Sequence, residues 1–68
     1  MQYAVELERE QDGRWIAEVP GLAGTLSYGA SREEALAKVE ALALRVLAER
    51  LERGEHEPDR FSVTFQAA

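Results

Sequence analysis

Residues 31–54 read SREEALAKVEALALRVLAERLERG, and this stretch decides the fold. It predicts one long amphipathic helix from Ser31 to Arg53. Ser31 followed three residues on by Glu34 fits a capping box, in which each residue satisfies a free backbone donor at the helix start. Glu33 and Glu34 place negative charge at the positive end of the helix dipole, and Arg50 and Arg53 place positive charge at the other. Gly54 stands where a left-handed residue commonly closes a helix, and Pro58 follows. No Gly or Pro interrupts the run between the caps, so propensity agrees with pattern.

At about 100° per residue, Ala35, Leu36, Val39, Leu42, Ala43, Val46 and Leu47 fall on one stripe. Leu44 and Leu51 extend it sideways, with Glu40 inside the extension. The combined apolar arc spans about half the helix, wider than the roughly 100° that docking on one sheet requires. Leu44 and Leu51 are therefore candidate oligomer contacts. The alternative is that the sheet curls around the helix, and the residues alone leave both open. Lys38, Arg45 and Glu52 occupy the wet side.

Outward from the helix, the flanking segments read as strands. Tyr3, Val5 and Leu7 alternate with Ala4, Glu6 and Glu8. Asp12-Gly13 is a tight-turn signal. Arg14–Val19 is the return strand, with Trp15, Ala17 and Val19 on one face and Arg14, Ile16 and Glu18 on the other. Pro20-Gly21 breaks it, Gly21 being placed to supply the positive φ of a type II turn. Thr25–Tyr28 is a short third strand with Leu26 and Tyr28 on one side. Beyond the helix, residues 55–59 read as a polar loop, and Arg60–Gln66 as a last strand in which Phe61, Val63 and Phe65 alternate with polar residues.

The expected fold class is thus α+β, in the order β-β-β-α-β, as a single domain over residues 1–68. The helix must cover the apolar face of the antiparallel meander. It returns the chain to the starting end, so the last strand pairs parallel to the first and the sheet order is 3-2-1-4. Leu36, Val39, Ala43 and Val46 should face Tyr3, Val5, Trp15, Ala17, Phe61, Val63 and Phe65.

A chain of 68 residues is marginal as a single core, and with no Cys it has neither disulfides nor thiolate metal ligands. Packing and self-association remain. Absence of Cys fits a reducing cytosol, and cytoplasmic localisation is expected. No apolar run approaches a membrane span, and the chain begins on a strand pattern rather than a signal peptide. The net charge of −5 disfavours contact with phosphate backbones and suits a basic protein partner. It would equally serve solubility alone.

No motif demands catalysis. The strand order and helix placement resemble part of the ribonuclease H fold, whose catalysis needs carboxylates converging on divalent metal. Here Glu6 and Glu8 alternate with the apolar residues and face away from the helix that carries Glu40, and Asp59 precedes the last strand. His56 lies among Glu52, Glu55, Glu57 and Asp59, which reads as a solvated acidic loop rather than a metal site, since no second His stands at ligand spacing. Ser27 and Ser62 lie in no nucleophile elbow, and Ser31 is the cap. Gly21-Leu22-Ala23-Gly24 has the spacing of a nucleotide clamp but joins two strands, not two helices. Trp15 and Tyr28 lack the basic cluster that accompanies base-stacking platforms. No catalytic, cofactor-binding or metal-binding residue is assigned, and no cofactor.

Several pieces taken together resemble a known family. Asp12-Gly13-Arg14-Trp15, Ala17-Glu18-Val19-Pro20-Gly21-Leu22-Ala23-Gly24, Tyr28-Gly29-Ala30-Ser31 and Glu33-Glu34-Ala35-Leu36 are similar in order and spacing to the HicB-like antitoxin domain. The likeness runs from about Tyr3 to Glu57. Ala23 stands where that family often has a second Pro, and Thr25 where Cys is frequent. The resemblance implies a partial ribonuclease H-like fold without catalytic residues, and assembly as a homodimer, tetramer or other homo-oligomer. It implies neutralisation of HicA, a small basic ribonuclease toxin. Full antitoxins of the family also carry a C-terminal DNA-binding segment, for which a chain ending at Ala68 has no room, so no direct nucleic-acid binding is expected.

Strand alternation and net charge then make Glu6, Glu8 and Glu18, on the helix-free sheet face, the candidate partner contacts. The alternatives are an orphan HicB-like domain that binds another protein or a small ligand, and a residual metal-dependent nuclease.

Overall fold

The structure, a computed structural model, describes residues 1–67. Its elements are β1 (Gln2–Arg9), β2 (Trp15–Glu18), β3 (Leu26–Gly29), α1 (Arg32–Glu52) and β4 (Thr64–Ala67), with one turn of 3₁₀ helix at Pro58–Arg60 between α1 and β4. The four strands form one sheet in the order β3-β2-β1-β4. β1–β2 and β2–β3 are antiparallel, and β1–β4 is parallel. This is the expected α+β topology, with one helix layer on one face of a mixed sheet.

Both ends of α1 follow from the sequence. Ser31 Oγ accepts a hydrogen bond from the Glu34 backbone N–H at 3.1 Å. Glu34 Oε1 reaches back one residue beyond the expected partner and accepts from the Ala30 N–H at 3.2 Å. At the C-terminus Glu55 N donates to Arg50 O and Gly54 N to Leu51 O, both at 3.0 Å. This is a Schellman closure, and Gly54 adopts the φ of +78° that it requires.

The hairpin between β1 and β2 closes with Gly13 N donating to Glu10 O at 3.0 Å, and Glu10 N to Arg14 O at 2.7 Å. With Gly13 at φ +91°, this is a three-residue loop, a reverse turn followed by a left-handed residue. The next connection differs from the expected one. Gly21 has no positive φ; the left-handed residue is Gly24 at +78°. Two reverse turns run in series, closed by Leu22 N to Val19 O and Thr25 N to Leu22 O. The second, with Gly24 at its third position, carries the type II requirement. The series swings Leu22 inward, where it is one of the largest fully buried side chains.

The core consists of Val5, Ala17, Val19, Leu22, Ala35, Val39, Ala43 and Leu47, flanked by half-buried side chains that include Tyr3, Trp15, Leu36, Val46, Phe61, Val63 and Phe65. The fully buried helix row is Ala35-Val39-Ala43-Leu47; of the residues expected to face the sheet, Val39 and Ala43 lie in it, and Leu36 and Val46 flank it half-buried on the same face. At Gly29 an added Cβ would stand 2.9 Å from Ala35 Cα. That close approach draws the start of α1 against β3 and turns Ala35 inward. The helix packs chiefly on β3 and β2. On the same face, toward the β1–β4 edge, Tyr3 and Phe65 stack on each other, with ring centroids 6.1 Å apart.

The last strand also starts later than its alternation implied. Pro58–Arg60 forms the 3₁₀ turn, and β4 begins at Thr64. Phe61 and Val63 still point inward, because the chain already runs beside Met1. The Met1 nitrogen donates to Ser62 O at 2.8 Å, and Thr64 N donates to Met1 O at 3.0 Å.

Candidate protein-interaction site

With α1 on one face, the opposite face of the sheet meets solvent. Period-2 alternation decides its composition. β1 presents Ala4, Glu6 and Glu8 there, β2 presents Ile16 and Glu18, and β3 presents Leu26 and Tyr28. The register brings these into two rows. Glu6 lies directly opposite Glu18, and Glu18 opposite Leu26; Glu8 lies opposite Ile16, and Ile16 opposite Tyr28. The three sequence-predicted partner residues, Glu6, Glu8 and Glu18, thus line one shallow hollow of about 140 Å³ with Ile16 among them.

The electrostatics of this hollow are one-sided. Five ion pairs form among the described residues, and none includes Glu6, Glu8 or Glu18. Facing like charges on adjacent strands are destabilising, so the Glu6–Glu18 pair is a cost that the isolated fold carries. Beside the carboxylates, Leu26 and Tyr28 are 41% and 42% exposed, among the most exposed large apolar side chains described. The Arg14 guanidinium lies 4.8 Å from the Tyr28 ring centroid and is also tied to Asp12 by a 2.8 Å ion pair. The Arg14 backbone N–H, followed by its side chain, holds the Asp12 carboxyl below its ordinary value. The Arg14 guanidinium is thereby held over the edge strand β3.

The same geometry disperses the groups that metal chemistry would need. Glu40 lies on α1, in the other layer from Glu6 and Glu8. No group of three or more His, Asp or Glu side chains among the described residues is placed to hold a metal ion. His56 packs edge-on against Phe61, with centroids 5.5 Å apart, and its Nε2 is buried without a hydrogen-bond partner. Gly21–Gly24 lie in the two turns around Leu22, whose side chain enters the core while Gly21, Ala23 and Gly24 stay exposed. No described helix is long and apolar enough to cross a membrane.

The candidate oligomer contacts lie on the remaining surface. Leu44 is 46% exposed and Leu51 half-buried. They stand beside the docking stripe, with half-buried Glu40 between on the helix circumference.

Fold and surface together define a small two-layer α+β domain with an acidic, partly apolar open sheet face. Comparison of the chain with protein-family models, curated proteins and solved structures finds no match.

Proposed function

We propose that this chain is a non-catalytic, HicB-like antitoxin-type protein of the cytoplasm, which binds and neutralises a small basic HicA-like ribonuclease toxin and self-assembles as a homo-oligomer. The observation that carries the reading is the open sheet face. Three carboxylates without ion-pair partners surround Ile16 beside exposed Leu26 and Tyr28. An apolar patch joined to uncompensated negative charge suits a basic protein surface, and charge complementarity would speed association and select the partner. The ordered motifs from Asp12 to Leu36 support the family, including its partial ribonuclease H-like fold and its lack of catalytic residues.

The test is a titration of the purified protein against a HicA-like toxin, followed by calorimetry and by protection of RNA from cleavage. Binding should weaken steeply with salt. Combined Glu6→Lys, Glu8→Lys and Glu18→Lys should lower affinity by about a hundredfold or more and flatten the salt dependence. Unchanged binding in the triple variant would remove the sheet face from the mechanism. If no basic toxin binds at all, the orphan reading takes its place.

A further inference from the structure

We infer that the outward face of α1 is a parallel dimerisation seam for a second copy of this chain. The inference gives a location to the self-association in the reading above and uses a surface in the other layer from the sheet face. Ala37, Ala41, Leu44, Ala48 and Leu51 follow one another in steps of four, three, four and three residues. That is the 3.5-residue spacing of a coiled-coil seam, whereas the sheet-facing row Ala35-Val39-Ala43-Leu47 runs in steps of four. At about 100° per residue the five seam positions fall within about 80° of arc, centred about 140° around the helix from the buried row. Ala37 and Ala48 are exposed, and Leu44, at 46%, is the most exposed large apolar side chain described. Over the roughly 21 Å from Ala37 to Leu51 no charged residue interrupts the seam.

The charges beside the seam identify its occupant. In heptad terms Ala41 and Ala48 are a positions, and Ala37, Leu44 and Leu51 are d positions. Leucine at d favours two strands, and small residues at a let the helices approach closely. The e positions are Lys38, Arg45 and Glu52. The g positions are Glu33, Glu40 and Leu47, the last buried against the sheet. In a parallel pair each g residue meets the e residue five positions on in the other copy. Glu33 then faces Lys38 of the second copy and Glu40 faces Arg45, each pair occurring twice by the two-fold axis. No like-charged pair arises. An antiparallel pair would instead bring Arg45 against its own copy. Glu40 and Arg45 make no ion pair within the chain among the described residues, so both are available. An acidic chain thus has one face on which opposite charges are placed to meet their own copy.

Sedimentation equilibrium of the full chain tests this. The wild type should be a dimer, and Leu44→Glu should raise the dissociation constant by about a hundredfold or more. Glu40→Arg alone and Arg45→Glu alone should each weaken self-association by about tenfold or more, because each sets like charges face to face. An equimolar mixture of those two variants should form heterodimers of near wild-type affinity, since both cross-pairs are again opposite. Because the chain has no Cys, Leu44→Cys offers a clean second readout: oxidation should yield a disulfide-linked dimer. A monomeric wild type, or a dimer indifferent to Leu44→Glu and to both reversals, overturns the proposal. So does loss of basic-toxin binding, rather than of self-association, in Leu44→Glu. Failure of toxin binding with the dimer intact would sink only the antitoxin reading.

Discussion

Leu22 is 1% exposed although it lies between two reverse turns. Truncating so buried a leucine removes its transfer free energy and leaves a cavity, so Leu22→Ala should cost about 2–5 kcal/mol in urea unfolding. Against a total of roughly 5–15 kcal/mol that is a large fraction, and an unchanged midpoint would mean the turns do not seat the side chain inside. Sequence periodicity could not find Leu22, because a residue between two turns belongs to no periodic run. The place of the sheet-face glutamates was legible for the opposite reason: alternation in β1 and β2 fixes which face each residue takes, and the structure places Glu6, Glu8 and Glu18 together on the free face. Glu34 is readable at the same scale. The Ala30 N–H bonded to its carboxyl, aided by Lys38, holds its pKa below the ordinary 4.5. A lowered folded value contributes stability above the unfolded pKa, and that contribution is lost as pH falls through the folded one. The stability gap between wild type and Glu34→Gln should therefore be present at neutral pH and shrink below about pH 4.5. A gap that widened on acidification would contradict the assignment.

At the scale of elements, α1 was legible at both ends. Ser31 and Gly54 act through backbone bonds made within a few residues, and such local chemistry survives any tertiary arrangement. Ser31→Ala should lower stability by about 1 kcal/mol through the lost bond to the Glu34 N–H, measurable as a reduced thermal midpoint. The rotation of α1 about its axis was legible as well: the expected row Leu36-Val39-Ala43-Val46 and the fully buried row Ala35-Val39-Ala43-Leu47 share one centre on the helix circumference, with Leu36 and Val46 half-buried on either side of it. What periodicity could not show is how closely Gly29 admits the start of the helix, which buries Ala35 completely. Gly29→Ala would push a methyl against Ala35 and should destabilise by about 1–3 kcal/mol or more, unlike an ordinary exposed substitution. The late start of β4 has another cause: Phe61 and Val63 alternate as a strand does, but the parallel ladder begins where β1 does, at Gln2 opposite Thr64.

At the scale of the whole molecule, the chain has two layers and hence two outward surfaces, the acidic sheet face and the α1 seam. The domain measures 42 × 18 × 16 Å, so a dimer joined along its helices would hold its two sheet faces pointing away from each other. Neither surface would shield the other, and additivity holds for distant sites that share no partners. The two proposals therefore predict a double dissociation. Leu44→Glu should give a monomer that binds a basic toxin with unchanged affinity per chain. Glu6→Lys with Glu18→Lys should give a toxin-blind protein that still dimerises, and relief of the Glu6–Glu18 repulsion should leave its stability no lower than that of the wild type. Light scattering of mixtures should accordingly show two chains with two toxins for the wild type, and one with one for Leu44→Glu. Coupled losses, with either substitution abolishing both functions, would mean that one continuous interface serves both.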